Sequence, residues 1–401
     1  MPESTLRRIA VIGAGLAGAA VCARFAARGW QVELIDTHGA PAQGASGNHA
    51  ASFHPLIARD NNRMVRLISA GIETSLAHWY ALERAGHPFS WAHCGALQLS
   101  RSGTKQDVAQ VLARLSLDPA FAHAVDRHQA SAIAGVGVQG GGVLFGPGGW
   151  VQPATLIAAQ LASCGTRLTT HYGQRVAQAV RQGVDWQLLD AGGQRIAQAP
   201  VVVLASGADA LLPHLFGQLA WPVEAVAGQV SVTAVNTDWP GPQLPVHGDG
   251  YLLPRIEGQI VAGATYDRQG TQTMEAAHRQ NVAQVQRMMA APLPLDAETL
   301  VARVSLRAVA RDRLPAIGAL PDTAAIDART VLRAGARLAH LPRLPGVYAA
   351  TAYGSRGLTW AALGAELLLS MVEGTTAPLE RELIEAIDPA RFALRAVRRT
   401  S

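Results

Sequence analysis

The chain has 401 residues, of which 49% are hydrophobic and 16% are charged. This length exceeds what one compact core usually holds, and the composition excludes an intrinsically disordered protein, so two interleaved globular domains are expected. The formal net charge of +5 is compatible with a polyanionic partner but does not require one.

Neither a membrane segment nor a metal site is indicated. No apolar run approaches the roughly 20 residues that a membrane-spanning helix needs, and the first residues show no basic region followed by an apolar core. Cys22, Cys94 and Cys164 are odd in number and far apart, which gives neither a disulfide framework nor metal-ligand spacing. We therefore expect a cytoplasmic protein with buried, reduced cysteines and no bound metal.

The first residues show a pattern typical of dinucleotide-binding units. Residues 9–12 form a short apolar run that predicts a buried parallel strand, and Gly13, Gly15 and Gly18 follow with G-x-G-x-x-G spacing. Gly13 allows a tight turn, Gly15 lets the backbone approach a pyrophosphate, and Gly18 allows helix and strand to pack closely.

The segment after the glycines completes the unit. Residues 19–27 are predicted as a helix and residues 31–35 as a second strand that ends at Asp36. The first amides of the helix and the positive end of its dipole suit a pyrophosphate. An acid at position 36 can accept hydrogen bonds from both ribose hydroxyls, which favours FAD or NAD over NADP. The ordered combination, more than the glycines alone, predicts dinucleotide binding.

The middle of the chain shows a second domain inserted into the first. Helical periodicity predicts helices over residues 64–80 and 105–115, and residues 87–145 break into short strands around the second of these. A glycine-rich turn at residues 146–149 marks the return to the first domain. Beyond it, helices are predicted over residues 154–162, 275–289 and 361–372, and strands over residues 167–172, 176–180, 200–208, 228–234, 250–254 and 259–265.

Several of these segments together resemble the FAD-dependent D-amino-acid oxidase superfamily, which includes glycine and sarcosine oxidases. The resemblance rests on the glycine fingerprint, the strand that ends at Gly207, the hairpin over residues 250–265, and residues 306–318 and 353–358. It implies an α/β fold in which a Rossmann-like FAD-binding domain is interleaved with an α+β substrate domain built on an antiparallel sheet. The implied FAD-binding domain comprises residues 1–80, 150–215 and 303–401, and the implied substrate domain comprises residues 81–149 and 216–302.

Residues 44–48, 304–315 and 354–358 are similar to the FAD-dependent oxidoreductase domain of the MnmC family, bifunctional enzymes that modify the wobble uridine of tRNA. This resemblance implies FAD-dependent oxidation of the carboxymethylaminomethyl group of that uridine to aminomethyl, with release of glyoxylate. In the family, a methyltransferase domain precedes this one and acts on the product. Since the sequence begins at the FAD fingerprint, a stand-alone oxidoreductase served by a separate methyltransferase and a fragment of a longer protein both remain open.

The resemblance assigns roles to three pocket residues. Arg307 corresponds to an arginine that clamps the substrate carboxylate, for which a guanidinium fork has the right shape; a structural salt bridge with Asp312 is the alternative. Tyr251 is expected to face the flavin and to donate a second hydrogen bond to the carboxylate, and Tyr266 to line the same pocket. Either tyrosine can instead be a core aromatic residue with its hydroxyl at a rim.

The expected FAD contacts come from the fingerprint and from segments where relatives contact the cofactor. The loop over residues 354–359 is expected to pass beside the isoalloxazine ring, where backbone amides stabilise negative charge on the reduced flavin. His49, within a His-Ala-Ala sequence, is an alternative site of covalent FAD attachment. The expected cofactor-binding residues are Gly13, Ala14, Gly15, Leu16, Ala17, Gly18, Asp36, Ser46, Gly47, Asn48, Val176, Ala205, Ser206, Gly207, Gly354, Ser355, Arg356, Gly357, Leu358 and Thr359.

Two competing functions remain open. The first is a small-molecule amine oxidase that acts on glycine, sarcosine or a D-amino acid and produces hydrogen peroxide. The second is an FAD-bearing electron-transfer or binding module without oxidase activity. Recognition of tRNA would require a phosphate-binding face, for which the candidate residues are Arg311, Arg313, Arg329, Arg333, Arg337, Arg343, Arg391, Arg395, Arg398 and Arg399.

Overall fold

The computed structural model describes residues 7–58, 60–100, 105–209, 212–217, 221–233 and 239–399. Its strands in chain order are β1 (Arg8–Ile12), β2 (Gln31–Asp36), β3 (Ala51–Phe53), β4 (Trp91–Ala92), β5 (Ala96–Leu99), β6 (Ala122–Val125), β7 (Gly142–Phe145), β8 (Gly149–Val151), β9 (Leu168–Tyr172), β10 (Gln178–Gln182), β11 (Asp185–Leu189), β12 (Arg195–Ala199), β13 (Val201–Leu204), β14 (Val223–Val232), β15 (Val246–His247), β16 (Tyr251–Leu252), β17 (Val261–Gly263), β18 (Val301–Ala310), β19 (Ala316–Pro321) and β20 (Arg343–Thr351). Its α-helices are α1 (Leu16–Ala27), α2 (Arg63–Arg84), α3 (Lys105–Arg114), α4 (Arg127–Ala134), α5 (Pro153–Ser163), α6 (Met274–Gln286), α7 (Ala328–Arg333), α8 (Gly357–Glu373), α9 (Arg381–Ile387) and α10 (Arg391–Arg399).

A six-stranded sheet with the order β19-β20-β13-β1-β2-β9 carries the dinucleotide-binding unit. β1 pairs in parallel with β13 on one side and β2 on the other, so Ile9 lies between Val201 and Val32. Both β1 and β13 are apolar and almost wholly buried, as expected for central parallel strands covered on both faces. β19 at one edge runs antiparallel to β20.

The two faces of this sheet are covered by different layers. Helices α1, α5 and α8 pack on one face, and α2 packs on α8, in a core that includes Phe25 and Trp360. The small sheet formed by β10, β11 and β12 covers the other face, where Trp186 and Leu188 join the cluster that contains Val202. The predicted α/β fold with a Rossmann-like unit is confirmed.

An eight-stranded sheet with the order β18-β14-β17-β16-β15-β5-β7-β6 forms the second large layer. Nearly all of its pairs are antiparallel; β15 and β5 pair in parallel. β18 pairs with β14 along its whole length, from Val223 opposite Ala310 to Val232 opposite Val301. The predicted domain boundary at residue 303 therefore falls inside β18, which pairs with the eight-stranded sheet. The division of the chain into two domains stays a prediction.

Several predicted elements differ from those observed. Helix α2 extends beyond residues 64–80 at both ends. Its start is fixed by Asn62, whose side chain accepts hydrogen bonds from the first free backbone amides of the helix. The predicted strand over residues 176–180 begins at Gln178 and belongs to the small sheet. The sequence predicts a final helix over residues 361–372; α8 begins at Gly357, and α9 and α10 follow it.

Among the described residues, none of the helices is both long and apolar enough to cross a membrane. The described residues also contain no group of His, Cys, Asp and Glu side chains that could hold a metal ion. Cys22 and Cys164 are buried, as predicted, but Cys94 is exposed. The prediction that the sequence shows no signal peptide rests on the first residues. Residues 1–6 lie outside the part of the chain that the structure describes.

Candidate active site

A cavity of about 1040 Å³ is lined by residues of both large sheets. From the six-stranded sheet it receives the carboxyl ends of β1, β2 and β13 and the loop between β20 and α8; from the eight-stranded sheet it receives residues of β16, β17 and β18. The carboxyl ends of parallel strands on either side of a central strand form the usual ligand crevice of an open α/β sheet. Its volume reaches the upper end of the range for ligand and cofactor pockets.

The turn between β1 and α1 is built for close approach to a ligand. Gly13 has φ +112°, and a Cβ there would collide with the Ala205 carbonyl. A Cβ at Gly15 would lie 2.9 Å from the Ser46 hydroxyl oxygen, which accepts the Leu16 N–H at 3.0 Å. The N–H groups of Gly15 and Ala17 have no hydrogen-bond acceptor within the described part of the chain. These amides, at the start of α1, fit a pyrophosphate.

Asp36 lies at the end of β2 and lines the cavity. Its Oδ2 accepts the Ala14 N–H at 2.7 Å, and its Oδ1 accepts the His38 N–H at 2.8 Å. A carboxylate offers about four acceptor positions, so Asp36 can still accept a hydroxyl hydrogen of an adenosine ribose. Val176, which is predicted to contact adenine, also lines the cavity.

The loop before α8 forms another part of the wall. Gly354 donates its N–H to the Ala308 carbonyl at 2.8 Å, which ties the loop to β18. Arg356 is the N-cap of α8, so the positive end of this helix faces the cavity. Burial lowers the pKa of Arg356, with a further contribution from nearby Arg313. This arrangement suits the anionic edge of a reduced flavin.

Arg307 projects from β18 and is only 6% exposed. Its Nη1 donates to the Thr265 carbonyl at 3.0 Å, and the guanidinium lies 4.5 Å from the ring centroid of Tyr266. A Cβ at Gly228, on the paired strand β14, would collide with the guanidinium, so glycine at that position makes room for it. The remaining Arg307 N–H groups have no acceptor among the described residues.

The alternative interpretation of Arg307 as a structural salt bridge with Asp312 is wrong. Asp312 accepts hydrogen bonds from Arg391 at 2.9 and 3.1 Å and from Arg395 at 2.8 Å. Within the described ranges, Arg307 forms no ion pair with a carboxylate. A buried guanidinium that faces a cavity without a counter-charge is suited to bind an anionic ligand.

The two predicted tyrosines both line this cavity but differ in burial. Burial raises the pKa of the Tyr251 phenol to about 12, although the positive charge of Arg307 opposes the shift. Tyr251 is therefore a hydrogen-bond donor throughout the physiological pH range. Tyr266 is 57% exposed and stacks on Arg307 at the rim of the cavity. The cavity thus brings together the three residues predicted to bind the substrate.

Most of the expected FAD-binding residues line the cavity, and two do not. Gly18 lies against the Gly13 carbonyl, where an added Cβ would collide, so its role is the predicted close packing. Gly47 is in a short 3₁₀ turn and lies beside the Arg303 side chain and the Ala42 carbonyl. His49 also lies outside the lining, with Nε2 3.0 Å from the Ile256 carbonyl, which does not support covalent FAD attachment there.

The polar residues of the cavity wall that were not predicted from the sequence include His54, His247, Asp249 and Gln284. The run His247-Gly248-Asp249-Gly250 just before Tyr251 is a turn signal that could have pointed to two of them. His54 and Gln284 carried no such signal, because only the tertiary fold brings β3 and α6 to the cavity.

The ten arginines proposed for RNA contact have different environments. Arg391 is 5% exposed and binds Asp312, and Arg343 forms a bidentate pair with Asp388 at 2.7 and 2.8 Å. These two are therefore structural. Exposed members of the set lie in the segment just before β19, on α7 and just after it, and on α10; they are Arg311, Arg313, Arg329, Arg333, Arg337, Arg395, Arg398 and Arg399.

Comparison with known proteins gives a consistent result. Residues 8–371 match the model of the family described as FAD dependent oxidoreductase. The chain is 46% identical over 402 aligned positions to the tRNA 5-methylaminomethyl-2-thiouridine biosynthesis bifunctional protein MnmC of Burkholderia mallei, covering 98% of this chain and 61% of that protein. The protein of the same name from Burkholderia pseudomallei is also 46% identical, over 99% of this chain and 61% of its own length. The chain thus spans about 60% of the length of these relatives.

Solved structures with the same fold are more distant in sequence. Glycine oxidase from Geobacillus kaustophilus superposes with a TM-score of 0.74 at 18% identity, over 96% of this chain and 99% of that one. Iminodiacetate oxidase from Chelativorans sp. BNC1 gives a TM-score of 0.73 at 20% identity, over 95% and 99% of the two chains. At these identities the likeness establishes the fold.

Proposed function

Because the chain belongs to the FAD dependent oxidoreductase family, we propose that it oxidises the carboxymethylaminomethyl group of a tRNA wobble uridine to aminomethyl. The observation that carries the proposal is Arg307, a buried cation that faces the cavity without a carboxylate partner among the described residues. The relatives of 46% identity, whose name describes tRNA 5-methylaminomethyl-2-thiouridine biosynthesis, support tRNA as the substrate.

The turn at Gly15 and the start of α8 would hold FAD, with Asp36 at its ribose. When bound, FAD supplies an acceptor for the hydride that leaves the carbon next to an amine nitrogen. The protein contributes position and charge. Arg307 and the Tyr251 hydroxyl bind the substrate carboxylate and so fix the adjoining methylene.

The proposed reaction has two stages, an oxidation and a hydrolysis that consumes one molecule of water. Loss of a hydride from the carboxymethyl carbon and a proton from the nitrogen leaves a carbon–nitrogen double bond. Addition of water then gives glyoxylate and the free aminomethyl group. No residue of the chain needs to form a covalent bond with the substrate. A methyltransferase acting on the product would complete the modification, and the site of action would be the cytoplasm.

The first experiment measures anaerobic loss of the visible flavin absorbance of the holoenzyme. The test substrate is tRNA that carries the carboxymethylaminomethyl group; the matched control is the same tRNA transcript without it. Glycine, sarcosine and D-amino acids form the third arm. Reduction by the modified tRNA alone is expected. Reduction by a free amino acid but not by tRNA would overturn the proposal and leave a small-molecule amine oxidase. No reduction by any of them would leave an electron-transfer or binding module.

A further inference from the structure

Besides Asn48 Oδ1 and the Tyr353 hydroxyl oxygen, two buried polar atoms of the cavity wall have no hydrogen-bond partner among the described residues: His247 Nε2 and Gln284 Oε1. A buried polar atom left unpaired costs free energy, so such atoms in a binding cavity indicate a polar ligand. Neither atom has a role in the carboxylate clamp proposed above.

Both atoms lie next to that clamp. His247 in β15 is paired directly with Tyr251 in β16, and their ring centroids are 6.0 Å apart. Gln284 reaches the same turn from α6, since a Cβ at Gly250 would lie 3.4 Å from Gln284 Oε1. A ligand held by Arg307 and Tyr251 therefore has these two polar groups beside it.

The groups around these two atoms define the kind of ligand that fits. Burial lowers the pKa of His247 well below its ordinary value, and nearby His54, whose ring lies 4.3 Å away, adds to the effect. Burial also lowers the pKa of His54. Both imidazoles are thus neutral near pH 7, and the Asp249 carboxylate is paired with Arg287 at 2.8 Å. This wall suits an uncharged polar ring and not a second anionic group.

We propose that His247 and Gln284 recognise the imide edge of the uracil ring that carries the carboxymethylaminomethyl group. This inference rests on the proposed function and identifies residues that select the base. Uracil presents a carbonyl, an N–H and a second carbonyl along one edge. The Gln284 oxygen accepts the N3–H, and an imidazole N–H of His247 donates to the neighbouring carbonyl.

The spacing is compatible with this arrangement. Four single bonds join the carboxylate carbon to C5 of the uracil, which is about 5 Å when extended. The Tyr251 and His247 rings, with centroids 6.0 Å apart, are close enough for a ligand of this length to contact both. A substrate clamped by its carboxylate therefore brings its base to the wall formed by His247 and Gln284.

The test pairs a change in the ligand with a change in the protein. The ligands are 5-carboxymethylaminomethyluridine and its N3-methyl derivative, which lacks the N3–H. The proteins are the wild-type holoenzyme, Gln284→Leu, Gln284→Glu and the matched control Gln280→Leu. Gln280 lies one turn earlier on α6 and lines the cavity, but its Oε1 already accepts from Gln272 at 2.7 Å. Binding is measured by calorimetry and oxidation by anaerobic flavin reduction.

Wild type and Gln280→Leu are expected to bind the N3-methyl ligand about tenfold more weakly than the parent, the effect of one unmade buried hydrogen bond. Gln284→Leu should bind the two ligands about equally, while Gln284→Glu should retain the preference because a carboxylate also accepts the N3–H. If all four proteins oxidise the parent nucleoside, and Gln284→Leu prefers it over the N3-methyl derivative by the same factor as wild type, this inference is overturned and the proposed function is retained. Failure of wild type to bind or oxidise either the parent nucleoside or the modified tRNA would overturn the proposed function and this inference together.

Discussion

At the scale of single residues, the main feature of the site is the positive charge of Arg307, which no carboxylate among the described residues neutralises. Arg307 is buried, yet its partners are the Thr265 carbonyl and the Tyr266 ring, which offer partial charges only. An isolated buried cation is costly, and a bound carboxylate removes much of that cost. The Thr265 carbonyl and the Tyr266 ring thus position the guanidinium without neutralising its charge, so it can bind an anion.

Replacement of Arg307 by alanine is expected to lower kcat/KM by roughly 10²–10³-fold, the cost of truncating one partner of a buried, hydrogen-bonded charge pair. FAD content and thermal midpoint should be retained, because the guanidinium has no structural ion pair within the described residues. Steady-state kinetics and flavin absorbance measure both. Arg268→Ala, which removes an exposed pair with Glu224, is the control and should change little. Turnover of Arg307→Ala at the wild-type level would contradict the proposed clamp.

At the scale of secondary-structure elements, the turn from β1 to α1 contains one glycine that the fold requires and another that ligand binding requires. Gly13 is required by the fold itself, since its φ is +112° and the Ala205 carbonyl occupies the place of a side chain. Gly15 is different, because the nearest atom to an added Cβ is the Ser46 hydroxyl, which can move. Substitutions at the two positions should therefore affect different properties.

Gly15→Ala is expected to weaken FAD binding at least tenfold while shifting the thermal midpoint of the apoprotein by no more than a few degrees. The added methyl group occupies the space through which the free Gly15 and Ala17 amides reach a pyrophosphate. FAD titration by fluorescence and thermal unfolding of the apoprotein measure the two effects. Gly39→Ala is a suitable control, since an added Cβ there has no neighbour within 4 Å. Equal FAD affinity in Gly15→Ala and wild type would argue against pyrophosphate binding at this turn.

Ion pairs between arginines of α10 and Asp312 attach this helix to the segment before β19. Arg391 is buried and forms a bidentate pair with Asp312, which also accepts from Arg395. Burial alone would raise the pKa of Asp312, but the hydrogen bonds and charge of Arg391 and then Arg395 outweigh it and hold the pKa below its ordinary value. A depressed folded-state pKa stabilises the protein above the unfolded pKa, about 4 for Asp, and this stabilisation is lost as the pH falls through the folded pKa.

Asp312→Asn is therefore expected to lower the free energy of unfolding by about 3 kcal/mol at pH 7, because it leaves the buried Arg391 charge without its partner. The difference from wild type should shrink below about pH 4, where the Asp312 carboxyl of the unfolded wild-type chain begins to protonate, and vanish as the pH falls through the lower folded-state pKa. Urea unfolding at pH 7 and at pH 3.5 measures it. Asp296→Asn is the control, because this loop carboxylate accepts the Glu298 backbone N–H at 3.0 Å and forms no ion pair with the described residues. A difference that grows on acidification would contradict the assigned sign.

The sequence predicted features that depend on residues close together along the chain, and it did not predict those that depend on tertiary contacts. The unit from β1 to β2 depends on neighbours within about 30 residues, so its order of strand, helix and strand could be predicted, and Gly13, Gly15 and Asp36 line the cavity. The resemblance also located Arg307, Tyr251 and Tyr266, which the fold brings to one cavity. Gly228 could not be assigned a role, because its effect depends on the antiparallel register of β14 and β18. The two unpaired atoms of His247 and Gln284 likewise arise only from tertiary packing.

At the scale of the whole molecule, positive charge is not confined to the cavity. Helices α7 and α10 pack together through a small apolar cluster, and exposed arginines lie on both. Arg333 ends α7, and Arg337 follows it just before the next turn. On the proposed function, a tRNA that inserts one nucleotide into the cavity has phosphates left to bind outside it, and arginines exposed on this pair of helices suit that role.

Reversal of two of these charges, in Arg333→Glu/Arg337→Glu, should lower kcat/KM for modified tRNA at least tenfold and leave oxidation of the free nucleoside unchanged. For each phosphate that is no longer bound, the dependence of log(kcat/KM) on log[salt] should also become shallower by about 0.7–0.9. Stopped-flow flavin reduction over a series of salt concentrations measures both quantities. The control is Arg167→Glu/Arg195→Glu, which changes the net charge equally; Arg167 precedes β9, at the edge of the six-stranded sheet opposite β19. If both double variants lose activity on tRNA to the same extent, the effect comes from overall charge, and α7 is not part of the tRNA-binding face.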